Sequence, residues 1–269
     1  MRSDMVDITK RMRADIVEML AAAGSGHPGG SLSACDIIAV LYFDKMNIDP
    51  KNVEDPDRDR FVLAKGHAAP ALYAALAEKG FFAREDLKTL RKSYSHLQGH
   101  PNMNTTPGVE MSTGSLGQGL SVANGMALAG RLDNRDYYVY CLMGDGEIEE
   151  GQVWEAAMSA SHYGLDHVIA FVDHNHLQID GNNDQVMTVN PIDEKFRAFG
   201  WNVLTIDGHD LDAISDAIDA AKATKGKPTV IIAETVKGKG VSFMENQVGW
   251  HGVAPTAEQA KQAVAEILG

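Results

Sequence analysis

A strand, a helix and a second strand follow one another between residues 137 and 175, and this unit restricts the possible folds most. The apolar runs at 137–143 and 167–173 have the length of buried strands, and residues 148–163 have a helical pattern. Because such a crossover is right-handed, both strands lie parallel in one sheet. Further short apolar runs alternate with helical patterns at 61–64, 202–208 and 228–236. The sequence therefore predicts an α/β fold, a doubly wound and mostly parallel sheet with helices on both faces.

The segments outside this unit fit the same architecture. Residues 5–23 have the apolar spacing of an amphipathic helix, which we expect to break at the glycine-rich segment GSGHPGG. Ser31 or Ser33 is placed to cap a second helix that runs to about Phe43. No internal repeat, low-complexity tract or linker interrupts the chain, so we expect a single domain over residues 1–269.

The composition disfavours several classes of partner. The formal charge of −13 at pH 7 is unsuited to duplex DNA and to anionic membranes, both of which attract basic surfaces. No apolar stretch approaches the roughly 18 residues of a membrane span, and the amino terminus lacks the apolar core of a signal peptide. Cys35 and Cys141 lie in apolar runs and are expected to be buried free thiols. These features predict a cytoplasmic protein without nucleic-acid or membrane partners.

Asp145 and Asn175 each follow one strand of the 137–175 unit, so we expect them to meet at one edge of the sheet. A carboxylate and an amide oxygen are hard ligands of the kind that Mg²⁺ uses together with substrate phosphates. Gly146 leaves room for phosphate oxygens, and the backbone amides that open a helix near residue 147 are expected to point toward them. The sequence thus predicts a site for a cation and a diphosphate.

A plainer interpretation treats GDG as a turn and Asn175 as the cap of a strand end. The matching positions of Asp145 and Asn175 after successive strands favour the cation site instead. Glu147 and Glu149 are expected to be solvated residues of a first helical turn, where the helix dipole favours negative charge.

The segment GDGEIEEGQVWEAAMSASHYGLDHVIAFVDHNHLQIDG resembles the thiamine diphosphate signature of the transketolase family. Transketolases also carry the motifs GSGHPGG, KGHAAPALYA, LQGHP, TGSLGQG, KGKGVSFMENQ and WHG, which occur here in this order. The resemblance extends from about residue 10 to about residue 255. It implies the thiamine diphosphate-binding fold of the domain that holds the diphosphate end of the cofactor.

The resemblance also implies a ligand set for thiamine diphosphate. Asp145, Asn175 and the backbone carbonyl of Leu177 would hold Mg²⁺ or Ca²⁺. The other residues implied at the cofactor are Gly146, His67, His251 and Lys237 at the diphosphate, and Gly114, Ser115 and Leu116 beside the aminopyrimidine.

Catalytic roles follow from the same resemblance. His27 and His100 would face the reacting carbon and the substrate hydroxyl groups, His251 would share in proton handling, and Glu150 would link paired sites across an interface. The four histidines of the motifs, His67 included, lie in glycine-containing loops, where a ring can reach a polar ligand. The remaining histidines are expected to be structural or surface residues: His96, His162, His167, His174, His176 and His209.

Thiamine chemistry in this family needs a glutamate from a second, pyrimidine-binding domain. No such domain is recognisable between the WHG motif and Gly269. The sequence is therefore interpreted as the amino-terminal subunit of a split transketolase, inactive alone and paired with a carboxyl-terminal subunit in a two-plus-two assembly. The implied reaction transfers a two-carbon ketol unit from a ketose phosphate to an aldose phosphate, as in the pentose phosphate pathway.

Four alternatives stay open. A split transketolase for a specialised sugar phosphate would share every motif, because the sugar-phosphate contacts lie largely on the partner. A deoxyxylulose phosphate synthase has the same fold, but LQGHP, GDGEIEEG and VGWHG fit transketolase better. A non-catalytic module that binds thiamine diphosphate would not need His27, His100 and His251. A dinucleotide-binding dehydrogenase would need a G-x-G-x-x-G turn after an early strand, which the sequence lacks.

Overall fold

Five parallel strands form one sheet at the centre of the molecule. A computed structural model of the chain describes residues 2–269. The strands are β1 (Arg60–Leu63), β2 (Val139–Gly144), β3 (Val168–His174), β4 (Asn202–Asp207) and β5 (Thr229–Glu234). Their order in the sheet is β1-β2-β3-β5-β4, and every neighbouring pair is parallel. This confirms the predicted doubly wound parallel sheet.

The central strands are buried on both faces, which explains why they read as continuous apolar runs. Every residue of β2 and β3 is buried, whereas the edge strand β4 is partly exposed. A parallel sheet covered on both faces has no solvated side for polar alternation. Successive side chains of each strand still point to opposite faces and join different apolar clusters. Tyr140 and Leu142 of β2 belong to one cluster, and Cys141 and Met143 belong to the other.

The helices divide between the two faces of the sheet. They are α1 (Arg2–Ala23), α2 (Pro28–Val40), α3 (Ala69–Lys79), α4 (Gly119–Leu132), α5 (Gly151–His162), α6 (Asn183–Val186), α7 (Ile192–Ala198), α8 (Leu211–Ala223) and α9 (Ala257–Leu268). The helices α1, α2, α3, α8 and α9 bury apolar residues in the first cluster. The helices α4, α5 and α7 bury theirs in the second. The single domain over residues 1–269 stays a prediction.

The predicted cap of the second helix is wrong. Helix α2 begins at Pro28 with His27 as its N-cap residue, so neither predicted serine caps it. Ser31 Oγ donates to the His27 carbonyl at 2.7 Å, and Ser33 Oγ donates to Asp173 at 2.6 Å. Proline is favoured in the first turn because its missing N–H has no helical partner there.

The segment after GDG also differs from the prediction. A short 3-10 helix occupies Gly146–Glu149, and α5 starts only at Gly151. The amides near residue 147 therefore do not open the long helix, in contrast to the expectation from the sequence.

Two composition-based predictions can be compared with the structure directly. Cys35 and Cys141 are free and buried, as predicted. Among residues 2–269, no helix has the length and apolar character needed to cross a bilayer.

Candidate functional site

A cleft of about 270 Å³ opens at the carboxyl edge of the sheet. Asp145 follows β2 and Asn175 follows β3, and these two strands are hydrogen-bonded neighbours. The predicted pair therefore meets in space, as the crossover required. Most of the cleft lining comes from loops at strand ends: His27, Gly30, Lys65, His67, Gly114, Leu116, Gly144, Asp145, Gly146, Glu147, Asn175, Leu177, Gln178, Ile179, Asp180, Lys237 and His251.

Asp145 is a buried carboxylate to which no cationic side chain of the described residues is hydrogen-bonded. Its side chain is only 2% exposed, and its two oxygens accept backbone N–H groups of Gly146 at 2.8 Å and His176 at 2.6 Å. Burial, together with the negative charge of Asp173, raises the pKa of Asp145 above its ordinary value. The fold therefore holds a negative charge in the cleft that a bound cation would neutralise.

Asn175 and Leu177 supply further oxygen atoms beside Asp145. Asn175 Oδ1 accepts the Leu177 amide at 3.2 Å, and Asn175 Nδ2 donates to Asp173 at 3.3 Å. The Leu177 carbonyl accepts Lys237 Nζ at 2.8 Å. Carboxylate, amide and carbonyl oxygens are the donors that hard divalent cations prefer, so this set fits Mg²⁺ or Ca²⁺.

Lys237 places an ammonium group on the carbonyl that was predicted as a cation ligand. The side chain is 2% exposed, and Nζ contacts the Leu177 carbonyl and His251 Nδ1, each at 2.8 Å. Burial, with the positive charge of Lys65, lowers the pKa of Lys237 to about 8. The ammonium shows that positive charge suits this carbonyl, which supports the fit of a cation.

Three histidines surround one side of the cleft. The ring centroids of His27, His67 and His251 lie 5.3 to 5.5 Å apart. Burial lowers the pKa of His27 to about 4 and that of His251 to about 3, with Arg91 and Lys237 as the next causes, respectively. Burial and Lys65 also hold the pKa of His67 well below its usual range. All three imidazoles are therefore neutral at pH 7, and the buried Nδ1 of His27 has no hydrogen-bond partner among residues 2–269.

A neutral imidazole carries no charge, but its N–H group can still donate a hydrogen bond to an anion. A diphosphate or a sugar hydroxyl group would give the buried Nδ1 of His27 the partner that it lacks.

The depressed histidine pKa values predict a specific acid response. A histidine whose folded pKa lies below its unfolded value of about 6.5 binds fewer protons in the folded state, so stability falls as the pH drops below about 6.5. The ceiling is about 1.4 kcal/mol per pH unit for each such group, and solvent screening reduces it. We expect His67→Asn to reduce the loss of unfolding free energy between pH 7 and pH 5 by about 1 kcal/mol.

Urea denaturation at pH 7, 6 and 5 measures this difference. Comparison with a variant is needed because Glu147 acts in the opposite direction: burial raises its pKa to about 7, so its contribution to stability grows as the pH falls. The control is His162→Asn at an exposed position, which should keep the wild-type pH dependence. An unchanged pH dependence in His67→Asn would contradict the assignment of neutral, desolvated imidazoles.

Glu147 corrects the prediction of a solvated helical turn. Its side chain is buried, and its two oxygens accept the amides of Gly117 and Gly144, each at 3.0 Å. This carboxylate ties the 114–117 loop to the end of β2, which positions one wall of the cleft. Glu149 is exposed, as predicted.

The 114–117 loop depends on two glycines. Gly114 has a φ of 140°, and a Cβ atom there would lie 3.0 Å from the His100 ring. Gly117 has a φ of 85°, and a Cβ atom there would lie 2.6 Å from the Cβ atom of Glu150. Both positions combine a left-handed backbone with a close neighbour, so a larger residue would displace the loop.

The structure does not bring every predicted residue into the cleft wall. Gly114 and Leu116 line it, whereas Ser115 is exposed and accepts a hydrogen bond from Gln118 at 3.0 Å. His100 lies at the mouth against Gly114, and Glu150 is exposed beside Gly117. The roles implied for these residues stay predictions.

Sequence reasoning missed a buried ion pair beneath the cleft. Lys65 Nζ pairs with Asp173 and donates to the Gly30 carbonyl at 3.0 Å. Asp173 is fully buried and also accepts from Ser33 and Thr235. Burial alone would raise the pKa of Asp173, but the Lys65 ammonium and the Ser33 and Thr235 hydroxyls together hold the pKa of this carboxyl below its ordinary value. No local sequence signal connects positions 108 residues apart.

Arg91 is a second residue that sequence reasoning missed. Its guanidinium lies against Gly99, where a Cβ atom would be 2.7 Å from Arg91 Cζ. The same charge lowers the pKa of both His27 and His100, after the larger effect of burial. Its backbone φ of 64° is unusual for a residue with a side chain. A positive φ cannot be read from the sequence, which explains the omission.

Four of the histidines left outside the site have structural or surface positions, as predicted. His209 accepts the Val236 amide at 2.8 Å and contacts Asp36. His96 contacts Asp86, His167 stacks on Tyr138, and His162 is exposed near the end of α5.

Comparisons with known proteins agree with this geometry. The chain matches the family model described as "Transketolase, thiamine diphosphate binding domain" over residues 1–269. It is 51% identical to the 6-deoxy-6-sulfo-D-fructose transketolase subunit SqwG of Clostridium sp. (strain MSTE9). This alignment of 251 residues covers 93% of this chain and 91% of that protein. It is 44% identical over 259 residues to a subunit of the apulose-4-phosphate transketolase of Phocaeicola vulgatus, which covers 96% and 92%, respectively.

A solved transketolase has the same fold. The enzyme of Leishmania mexicana superposes with a TM-score of 0.93 and 33% identity, over 98% of this chain and 41% of that one. The chain thus corresponds to nearly the whole of two transketolase subunits and to about two fifths of this longer transketolase chain. By its family match and these relatives, the chain belongs to the transketolase family and is homologous to the subunits of split transketolases.

Proposed function

We propose that the chain binds thiamine diphosphate with a divalent cation and, together with a partner subunit, transfers a two-carbon ketol unit between sugar substrates. One observation carries this proposal: the oxygen donors of Asp145, Asn175 and Leu177 share a single cleft with three neutral histidines. The family match and the names of the relatives support the same chemistry.

The cation is proposed to bind Asp145, Asn175 and the Leu177 carbonyl. A diphosphate alone would be repelled by the Asp145 carboxylate, and Mg²⁺ or Ca²⁺ between them turns that repulsion into attraction. Gly146 lies at the same edge, where the absence of a side chain leaves space for phosphate oxygens.

The diphosphate is proposed to accept hydrogen bonds from Lys237, His67 and His251. A cation on the Leu177 carbonyl would release the Lys237 ammonium for a phosphate oxygen, and bonds between charged partners are the stronger ones. The loop residues Gly114, Ser115 and Leu116 are proposed to lie beside the aminopyrimidine, with the loop fixed by Glu147.

The substrate is proposed to lie against His27 and His100. The cofactor supplies stabilisation of the carbanion that carbon–carbon cleavage leaves. Neutral His27 can donate to a carbonyl oxygen or accept a hydroxyl proton near pH 7, and His100 and His251 can share these protons. Arg91 adds a positive charge near His27 and His100 and is suited to an anionic substituent of the sugar.

A partner subunit is proposed because the cleft has an apolar rim. Leu116 and Ile179 line the cleft and are 38% and 68% exposed, and Val186 and Met187 are exposed nearby in sequence. Exposed apolar residues beside a site are typical of a protein interface. The relatives that match over nearly their full length are named as subunits, which supports a separate partner. The assembly is proposed to be two-plus-two, with Glu150 at the interface.

The substrate is proposed to be a specialised ketose that carries a phosphate or sulfonate. The two homologous subunits are named for 6-deoxy-6-sulfo-D-fructose and apulose 4-phosphate, and both are more than 40% identical to this chain. A role in the pentose phosphate pathway, with xylulose 5-phosphate as donor, is the alternative that shares the same site.

A reconstitution assay tests the proposal. The purified chain, a carboxyl-terminal transketolase subunit, thiamine diphosphate and Mg²⁺ are mixed with each of the three ketoses and an aldose phosphate acceptor, and products are identified by mass spectrometry. We expect ketol transfer only when both subunits are present, fastest with one of the specialised ketoses. Robust turnover by the chain alone would refute the partner, and equal or faster turnover of xylulose 5-phosphate would favour the alternative.

A further inference from the structure

Three side chains of types that can ligate metals, His174, His176 and Glu234, lie on the other side of the strand end that carries Asn175. Side chains alternate along β3, so Asp173 and Asn175 contact each other while His174 lies on the opposite side. The sheet register pairs His174 with Glu234 at the end of β5. The two imidazoles of His174 and His176 lie together, with ring centroids 4.0 Å apart.

The three side chains already converge on a small volume. His174 Nδ1 lies 2.8 Å from Glu234 Oε1, and His176 Nε2 lies 3.1 Å from Glu234 Oε2. One ligand atom from each of these three residues lies within 4.8 Å of the others. Ligand atoms around a metal with bonds of about 2.1 Å are roughly 3.0 to 3.4 Å apart, so only a small adjustment would admit an ion.

The donor set differs from that of the cofactor cleft. Two imidazoles and one carboxylate suit first-row transition metals such as Zn²⁺, whereas Mg²⁺ and Ca²⁺ prefer oxygen ligands throughout. His174 is buried, but His176 and Glu234 are roughly half exposed, which leaves room for water to complete the coordination. The two sites should therefore select different ions.

The backbone at His176 supplies a second, independent observation. Its φ of 65° lies in the left-handed region, which is uncommon for a residue with a side chain. Such strain persists where the surroundings fix it and is concentrated at functional sites. Here the His176 amide donates to Asp145 while its ring reaches Glu234, so one residue joins the two sites.

We propose that His174, His176 and Glu234 bind a divalent transition-metal ion, with Zn²⁺ as the best-suited ion. Without it, the Glu234 carboxylate bridges the two imidazoles. The bound ion replaces the protons between them and fixes the turn that carries Asn175 and the Leu177 carbonyl. This site is distinct from the proposed cofactor site and does not depend on thiamine diphosphate.

Titration of the metal-free full chain with Co²⁺ and Zn²⁺ tests this proposal. Cobalt bound by nitrogen and oxygen ligands gives visible absorption bands, and calorimetry gives the stoichiometry and affinity for zinc. Excess Mg²⁺ is present to occupy oxygen-only sites. We expect one zinc per chain, with the affinity reduced at least about tenfold in His176→Ala and in Glu234→Gln, and unchanged in the exposed control His162→Ala.

The histidines of the cofactor cleft are the competing location for zinc, so His251→Asn is titrated in parallel. Wild-type affinity in His251→Asn together with weakened binding in His176→Ala supports the proposed site. The reverse pattern places the ion in the cleft and overturns the proposal, as does the absence of zinc binding by the wild-type chain. Circular dichroism of each variant shows whether lost binding reflects lost folding, and His176 is exposed enough for folding to persist.

Discussion

Replacing Asp145 with asparagine is expected to lower ketol transfer by at least about 100-fold while leaving the stability of the chain nearly unchanged. Loss of groups that merely orient metal ligands costs 10- to 100-fold, and Asp145 is proposed to contact the cation itself. The carboxylate also balances the charge between cation and diphosphate, which a neutral amide cannot do.

The stability side of this prediction follows from the contacts of Asp145. Asparagine can accept only one of the two backbone N–H groups that the carboxylate accepts, a loss of about 1 kcal/mol. Removing a buried charge beside Asp173 offsets that loss, because burial and Asp173 both raise the pKa of Asp145. We therefore expect the free energy of unfolding to change by no more than about 1 kcal/mol.

Initial rates of the reconstituted enzyme and urea denaturation of the chain measure the two effects. The control is Asp216→Asn, which removes one exposed carboxylate from α8 and should change neither quantity. An Asp145→Asn enzyme with wild-type rates would show that this carboxylate holds no cation needed for the reaction.

Replacing Lys65 with methionine is expected to destabilise the chain strongly, because the charge of the neighbouring Asp173 carboxylate then lacks its partner. Asp173 is fully buried, and Lys65 is its only cationic hydrogen-bond partner among the residues that the structure describes. Breaking a buried pair from one side leaves an uncompensated charge and costs about 3 to 5 kcal/mol. We expect this loss of unfolding free energy in Lys65→Met, measured by urea denaturation.

The double variant Lys65→Met, Asp173→Asn separates charge from packing. The asparagine side chain would remove the stranded charge, and its amide can accept from one of the Ser33 and Thr235 hydroxyls and donate to the other. Stability should therefore recover to within about 2 kcal/mol of the wild type. Lys45→Met is the matched control, because Lys45 pairs with the exposed Asp219 and should contribute less than about 1 kcal/mol. A double variant as unstable as Lys65→Met would show that lost packing, not charge, is responsible.

The surroundings of Asp145 and Asp173 show which features of the site could be predicted from the sequence. The meeting of Asp145 and Asn175 was predictable, because one right-handed crossover joins adjacent parallel strands and fixes which strand ends are neighbours. The apolar runs of β2 and β3 were predictable for the same reason, since strands buried on both faces are apolar throughout.

The contacts around that pair were not predictable, because they depend on positions far apart in the chain. Lys65 reaches Asp173 across 108 residues, and Glu147 accepts the Gly117 amide across 30 residues. Local patterns favoured a solvated position for Glu147 and a helix cap for Ser33, whereas hydrogen bonds with Gly117 and Asp173, respectively, hold both side chains in the interior. A short polar side chain can satisfy a local cap or a distant partner, and only the fold decides between them.

The central claim is that Asp145, Asn175 and the Leu177 carbonyl hold one cation that anchors a diphosphate. Anomalous diffraction from crystals grown with thiamine diphosphate and Mn²⁺ tests it most directly. The predicted result is a manganese peak bonded to those three oxygens and to the diphosphate, with Lys237 moved off the Leu177 carbonyl. A diphosphate bound in the cleft with Asp145 contacting no metal, or with Lys237 still on that carbonyl, would contradict the account.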